Sequence, residues 1–154
     1  MKNWNLFLKR AFDIVVSALV LVMMTVIPVL IIVPIAIKLA SKGPVIFKQT
    51  RVGKNGKLFV MYKFRTMITE QYDANGKEIM SENRITKIGK ILRKTSLDEL
   101  PQLFNVLKGD MAIVGPRPML DYQAPRCIGE ENLRFEMRPG LTGLAQVKGR
   151  NNIQ

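Results

Sequence analysis

The sequence predicts a membrane-associated α/β domain: a bent N-terminal membrane helix, interfacial amphipathic helices and a small β-sheet with a hairpin. Three observations carry this. The run Ile14 to Ile37 contains no charged residue but includes Pro28 and Pro34. Two β-prone stretches, Val45 to Val52 and Leu58 to Phe64, flank the turn signal Gly53-Lys-Asn-Gly56. Short stretches with apolar residues at helical spacing follow, interrupted by glycine and proline. At 154 residues the chain has room for one soluble domain beside the apolar run. The expected division is an anchor over 1–42 and a cytoplasmic domain over 43–154.

Charge narrows the partners. Against 12 Asp and Glu stand 24 Lys and Arg, a net charge of +12, so an acidic surface or ligand is implied. Nucleic acid, anionic lipid and nucleotides all qualify. The chain has no histidine, which excludes Ser-His-Asp and Cys-His catalysis. Cys127 is the single cysteine, so there is no intrachain disulfide or cysteine-rich metal framework, and a reducing cytosolic face is the inference.

Along the chain, Met1 to Asp13 mixes Trp4, Phe7 and Phe12 with Lys2, Lys9 and Arg10, a composition suited to lipid headgroups. As straight helix, Ile14 to Ile37 would reach about 36 Å and cross a hydrocarbon core of about 30 Å. Pro28 removes a backbone hydrogen bond near its middle and predicts a bend at Ile27-Pro28. Lys2, Lys9 and Arg10 precede the run, and Lys38, Lys42, Lys48 and Arg51 follow it. Both ends are therefore drawn to the cytoplasmic side, which a bent helix entering and leaving by one face satisfies as well as a spanning one satisfies length.

From Lys38 to Arg65 the chain holds basic residues and no acidic one, interleaved with Phe47, Phe59, Tyr62 and Phe64. A hairpin with one basic face results, turned to solvent, lipid or phosphate; Lys63 and Arg65 at its end are candidate phosphate ligands. Ile68 to Glu82 reads as a polar loop turning at Asn75-Gly76. Arg84 to Lys94 sets Ile85, Ile88, Ile91 and Leu92 at helical spacing, fitting a helix packed on the core or lying on anionic lipid. Either way it delivers Arg93 near Asp98.

Asp98 and Glu99 are adjacent carboxylates among positive charges. Ser96-x-x-Glu99 has the form of a capping box, so both acids fit the first turn of a helix that includes Pro101. At such a mouth they equally fit a metal-binding or nucleophilic pair. Gly109 ends that helix, and Met111 to Val114 reads as a strand leading to Gly115-Pro-Arg-Pro118. Prolines on both sides fix Arg117, which fits a rigid turn with a solvated side chain as well as bidentate contact with phosphate. Beyond lie an expected short helix over Gly129 to Met137, a turn over Arg138 to Gly143 and a last strand over Leu144 to Lys148.

Several motifs are long enough to carry a resemblance: Lys9-Arg-x-Phe-Asp13, Gly43-Pro-Val-Ile-Phe47, Tyr62-Lys-Phe-Arg-Thr-Met67, Ser96-Leu-Asp-Glu-Leu100, Gln102 to Asp110, Val114-Gly-Pro-Arg-Pro118 and Arg138-Pro-Gly-Leu-Thr-Gly143. Over nearly its whole length the chain resembles the bacterial sugar transferases, and more closely the small monotopic phosphoglycosyl transferases. The resemblance implies an enzyme at the cytoplasmic face of the bacterial inner membrane. It would move a phospho-sugar from a UDP-sugar to undecaprenyl phosphate, release UMP and begin glycoconjugate or polysaccharide assembly. It further implies a re-entrant helix over 14–37 seated in membrane lipid, Asp98 as covalent nucleophile, Glu99 beside it at a required Mg2+, and phosphate binding by Arg117. Arg93, Lys63 and Arg65 join as candidate substrate ligands. No nucleic-acid partner is expected. Relatives carry Ser where this chain has Ile27, and they continue several dozen residues further, so a C-terminally truncated chain is expected. Two other classes fit part of the pattern: a non-enzymatic basic module on anionic lipid or nucleic acid, which leaves Asp98, Glu99 and Arg117 without a task, and a metal-dependent phosphohydrolase, which passes the phosphoryl group to water.

Overall fold

The computed structural model describes residues 3–26, 29–73 and 75–148. Helix α1 runs Asn3–Val26 and α2 Val29–Ala40. Strands β1 (Ile46–Val52) and β2 (Leu58–Phe64) pair as a two-stranded sheet. Helices α3 (Lys87–Thr95) and α4 (Gln102–Lys108) follow. Strand β3 (Ala112–Val114), strand β4 (Gly140–Thr142) and helix α5 (Leu144–Lys148) complete the order. The bend expected at Ile27-Pro28 lies outside the described residues. Among the described residues, no helix is long and apolar enough to cross a membrane.

The chain packs as two units: one of Met1–Val22, Lys48–Tyr62 and Gln102–Gln154, the other of Met23–Phe47 and Lys63–Pro101. Both draw residues from each side of position 42.

In the first unit, Met61, Val106 and Met111 are buried, with Phe59 and Ile113 packed against them. The basic lead is helical and its polar side chains are engaged with protein. At the end of α4, Arg10 donates to the Val106 carbonyl at 2.6 Å, which also accepts from the Gly109 N–H, and to the Leu107 carbonyl at 2.9 Å. Asp13, 3% exposed, accepts from the Ile113 N–H at 3.3 Å and pairs with Lys9 at 3.3 Å. Arg10, expected among the headgroup cations, is thus a helix cap. Asn105 is fully buried: its amide accepts from the Tyr62 N–H at 3.1 Å and donates to the Val60 carbonyl at 2.7 Å, which ties α4 to β2.

Strands β3 and β4 pair in parallel, Ala112 opposite Gly140 and Val114 opposite Thr142. This corrects two expectations. Arg138 to Gly143 is not merely a turn, because the backbone of Gly140 donates to the Pro116 carbonyl at 2.9 Å while the Gly115 N–H reaches Thr142 at 3.0 Å. Leu144 to Lys148 is helix rather than strand: the Gly143 carbonyl accepts from Gln146 and Val147, closing a helical turn. So short an apolar segment has no decisive period, and the neighbouring backbone chooses. Gly129–Glu136 is helical as expected, but as 3-10 turns.

In the second unit, Val33, Ile37, Phe64 and Leu92 form the buried core, joined by Ile88, Leu97 and Leu100. Helix α3 therefore packs its stripe on protein, with Ile91 left exposed. Thr86 caps it, its hydroxyl accepting from the Gly89 N–H at 2.9 Å. Across the hairpin turn Asn55 takes the left-handed conformation (φ 56°) that the Asn-Gly signal predicts.

Candidate active site

The acid pair stands on a single 3-10 turn, Leu97–Glu99, between α3 and α4. The capping box expected at Ser96 is not formed. Ser96 closes α3 in the left-handed conformation (φ 59°, ψ 14°), its N–H reaching the Arg93 carbonyl, and its side chain makes no cap bond to the turn that follows. An N-cap needs extended backbone, so one residue cannot do both. Helix α4 begins only at Gln102, and its first turn carries no acid. The two carboxylates are thus held ahead of the helix rather than inside it.

Around that turn the second unit holds three of the four other sequence-expected residues. Lys63 Nζ lies 2.9 Å from Glu99 Oε1, and both side chains are about four-fifths buried. Arg93 donates through Nε to Thr66 Oγ1 at 3.0 Å and adds its charge to the field at Asp98. Arg65, 5% exposed, donates to the carbonyls of Ser41 (2.7 Å) and Lys42. Its guanidinium braces the chain leaving α2. Arg117 belongs to the other unit and is exposed.

Asp98 is 8% exposed. Burial pushes its carboxyl above the ordinary carboxylate range; Lys63 opposes this, the Glu99 charge adds to it, and a backbone hydrogen bond and Arg93 oppose it. The basic setting by itself would keep Asp98 ionised. Desolvation outweighs it.

Thr66 was not singled out in the sequence, yet it organises this region. Its carbonyl accepts from the Thr86 N–H at 3.0 Å while its hydroxyl holds Arg93. Gly89 lets α3 approach, since a Cβ there would lie 2.8 Å from the Thr66 carbonyl carbon and closer still to its oxygen. The readable signal was Gly89 inside an otherwise good helical pattern, which marks a close approach. Strand β2 and its continuation thus deliver Lys63 to Glu99, Phe64 to the core, Arg65 to the end of α2 and Thr66 to α3.

A buried carboxylate beside a lysine-paired glutamate, with the Arg93 guanidinium close by, is the candidate site, and a chain without histidine does not use histidine-based hydrolysis there. The model of the family described as bacterial sugar transferase matches residues 4–154, and the chain belongs to that family. It is similar to the protein named "Uncharacterized sugar transferase EpsL" of Bacillus subtilis (strain 168), 47% identical over 148 residues that cover 96% of this chain and 72% of that one. It is 49% identical over 153 residues to the "Exopolysaccharide production protein PSS" of Rhizobium leguminosarum bv. phaseoli, covering 94% and 76%. The "UDP-glucose:undecaprenyl-phosphate glucose-1-phosphate transferase" of Klebsiella pneumoniae is 46% identical over 149 residues, 94% of this chain but only 32% of that longer protein.

Proposed function

We propose that this chain transfers a phospho-sugar from a UDP-sugar to undecaprenyl phosphate at the cytoplasmic face of a bacterial inner membrane, an initiating step of glycan assembly. The observation that carries the reading is Asp98: a desolvated carboxylate held beside the Glu99–Lys63 pair. Relatives named for glucose-1-phosphate and galactose phosphate transfer to undecaprenyl phosphate support the substrate classes.

In the first half-reaction a carboxylate oxygen of Asp98 attacks the sugar-bearing phosphorus of the UDP-sugar. The bond from that phosphorus to the bridging oxygen breaks, and UMP leaves with the oxygen. In the second, a phosphate oxygen of undecaprenyl phosphate attacks the same phosphorus, the Asp98–phosphorus bond breaks, and the carboxylate is regenerated beside the sugar diphospholipid product. Splitting one transfer into two suits a site with no histidine to activate an acceptor. Lys63 holds Glu99 in place, and Arg93 and Arg117 bind phosphoryl oxygens. Arg65 acts as a brace.

Among the described residues no group of three or more acids is placed to hold a metal by itself. Asp98 and Glu99 nevertheless fit Mg2+, which characteristically takes one or two carboxylates and completes its shell with water and substrate phosphate. When bound there, the cation supplies charge neutralisation on the diphosphate.

The membrane seat is part of the proposal, with 1–42 as anchor and a re-entrant path over 14–37. Helix α2, 12 residues, rises about 18 Å, short of a core of about 30 Å. Arg10 and Asp13 are held by α4 and β3, so only Ile14 to Val26 of α1 is free to enter lipid, about 20 Å of helix. Val15, Leu19 and Val22 on α1 and Ile31, Ile35 and Leu39 on α2 are exposed apolar side chains that lipid would cover.

The test is a single-turnover assay without lipid acceptor. Wild type should release UMP in an amount limited by enzyme, and Asp98→Asn should release none, while Asp98→Asn still sediments with membranes. Strict dependence of UMP on acceptor would replace the covalent route by direct transfer. Sugar phosphate appearing in water in place of the lipid product would make the protein a phosphohydrolase.

A further inference from the structure

The loop Gly115-Pro-Arg-Pro118 is surrounded by arginine to a degree that Arg117 alone does not explain. Val52 N–H donates to the Met119 carbonyl at 3.0 Å, and Arg51 donates to the Pro118 carbonyl at 3.1 Å, so β1 holds the loop from one side. The 3-10 segment Gly129–Glu136 brings Arg134 to the other. Arg117 and Arg134 both line a cavity of about 10 Å3, together with Gly53, Pro116, Met119 and Phe135.

None of the three arginines forms an ion pair with a carboxylate among the described residues. Arg134 is partly buried, and the contact its Nη1 makes is to the Met119 thioether, 3.0 Å away, a weak acceptor without charge. Burial, and next the neighbouring Arg117 charge, hold the Arg51 guanidinium below its ordinary range, with Tyr122 and Asp121 opposing. Like charges kept this close, none of them ion-paired with a carboxylate among the described residues, favour an anion between them. The cavity has room for about one water-sized group, so it suits a single phosphoryl oxygen.

We infer that Arg134 and Arg117 together seat one phosphoryl group at the rim of this loop, with Arg51 as the positioning residue that holds the loop for them. The inference rests on the reading that Arg117 binds phosphate, and it adds Arg134 as an equal partner in that contact. The phosphoryl group comes either from the soluble nucleotide or from the lipid phosphate, and the two share the same oxyanion chemistry.

The test measures dissociation constants of the full chain in detergent for two probes separately, UDP and micellar undecaprenyl phosphate, with thermal midpoints recorded for every variant. Arg134→Gln should weaken one probe about tenfold or more, as loss of a charge-assisted contact does. Arg134→Lys, which keeps the stem and charge, should bind with intermediate strength and carries the test if the Gln variant folds poorly. The double variant Arg117→Gln/Arg134→Gln should lose less than the sum of the single losses, because the two side chains share one group. Weakening of UDP alone assigns the seat to the nucleotide, and weakening of undecaprenyl phosphate alone assigns it to the lipid. Fully additive losses would mean two separate sites and overturn the shared seat. If Arg117→Gln weakens a probe and folded Arg134→Gln weakens neither, the inference falls and Arg117 keeps its role. If neither substitution matters, the phosphate role of Arg117 falls as well.

Discussion

The chemistry of Asp98 is set by two opposing influences that differ in kind. Desolvation raises its carboxyl pKa because the charged form loses water, and the neighbouring Glu99 charge raises it too; Lys63 is the leading influence in the other direction. A nucleophilic carboxylate must be ionised, so kcat/KM should rise with pH through the Asp98 pKa, which the metal-free site holds above the ordinary Asp range and which bound Mg2+ would draw back down. Replacing Lys63 by Met removes the main stabilising charge and leaves Glu99 unpaired, and both changes push the Asp98 pKa upward. The acidic limb of the kcat/KM profile should therefore move to higher pH in Lys63→Met, with some activity recovered in alkaline buffer. An unmoved limb would mean that another group titrates. For stability the sign follows from the same shift: the raised folded-state pKa favours the fold most below the unfolded Asp pKa, and that contribution is lost as pH rises through the folded value.

Elements meet here through backbone rather than through large side chains, and glycine marks the meetings. Helix α3 lies against Thr66 because Gly89 has no Cβ, and β3 meets the following segment because a Cβ on Gly115 would lie 2.8 Å from the Gly140 nitrogen. Gly89→Ala forces α3 off the Thr66 carbonyl, and with it shifts the Arg93 contact and the turn that carries Asp98. The expected cost is about 1–3 kcal/mol, the usual range for overpacking, read as a lowered thermal midpoint in detergent. Turnover should fall further than the loss of folded protein accounts for, because the displaced helix ends at Ser96, two residues before Asp98. A variant with wild-type midpoint and turnover would show that α3 yields without disturbing the site.

For the whole molecule the decisive question is how 14–37 meets the membrane. Basic residues on both flanks favour one side for both ends, while freed carbonyls at a mid-helix proline cost several kcal/mol in lipid unless satisfied. Cysteines placed at Asn3 and Ser41 in a Cys127→Ser background, probed with an impermeant thiol reagent on intact spheroplasts, decide it. Neither position should label until the cells are opened. Labelling at position 3 without position 41 would establish a spanning helix and end the re-entrant model.

Much of this protein was determined by its sequence alone. The hairpin follows from Gly53-Lys-Asn-Gly56 between β-prone runs, α3 from its apolar spacing, β3 from Met111 to Val114, and the family from motifs long enough to need no fold. Those signals are local: a turn, a period or a string of residues acts over a few positions, so the chain states them wherever it goes. What depended on distant backbone was decided only in three dimensions. Ser96 looked like an N-cap until the end of α3 claimed it, and Arg138 to Lys148 exchanged turn and strand for strand and helix once β3 offered a parallel partner. Arg65 and Arg10 read as charges for phosphate or lipid, but both cap carbonyls, Arg65 those of Ser41 and Lys42 and Arg10 those at the end of α4, far away in sequence. The ionisation of Asp98 likewise turned on burial, a property that charge counting along the chain does not contain. A cation's partner and a carboxylate's hydration are set by what the fold brings beside them.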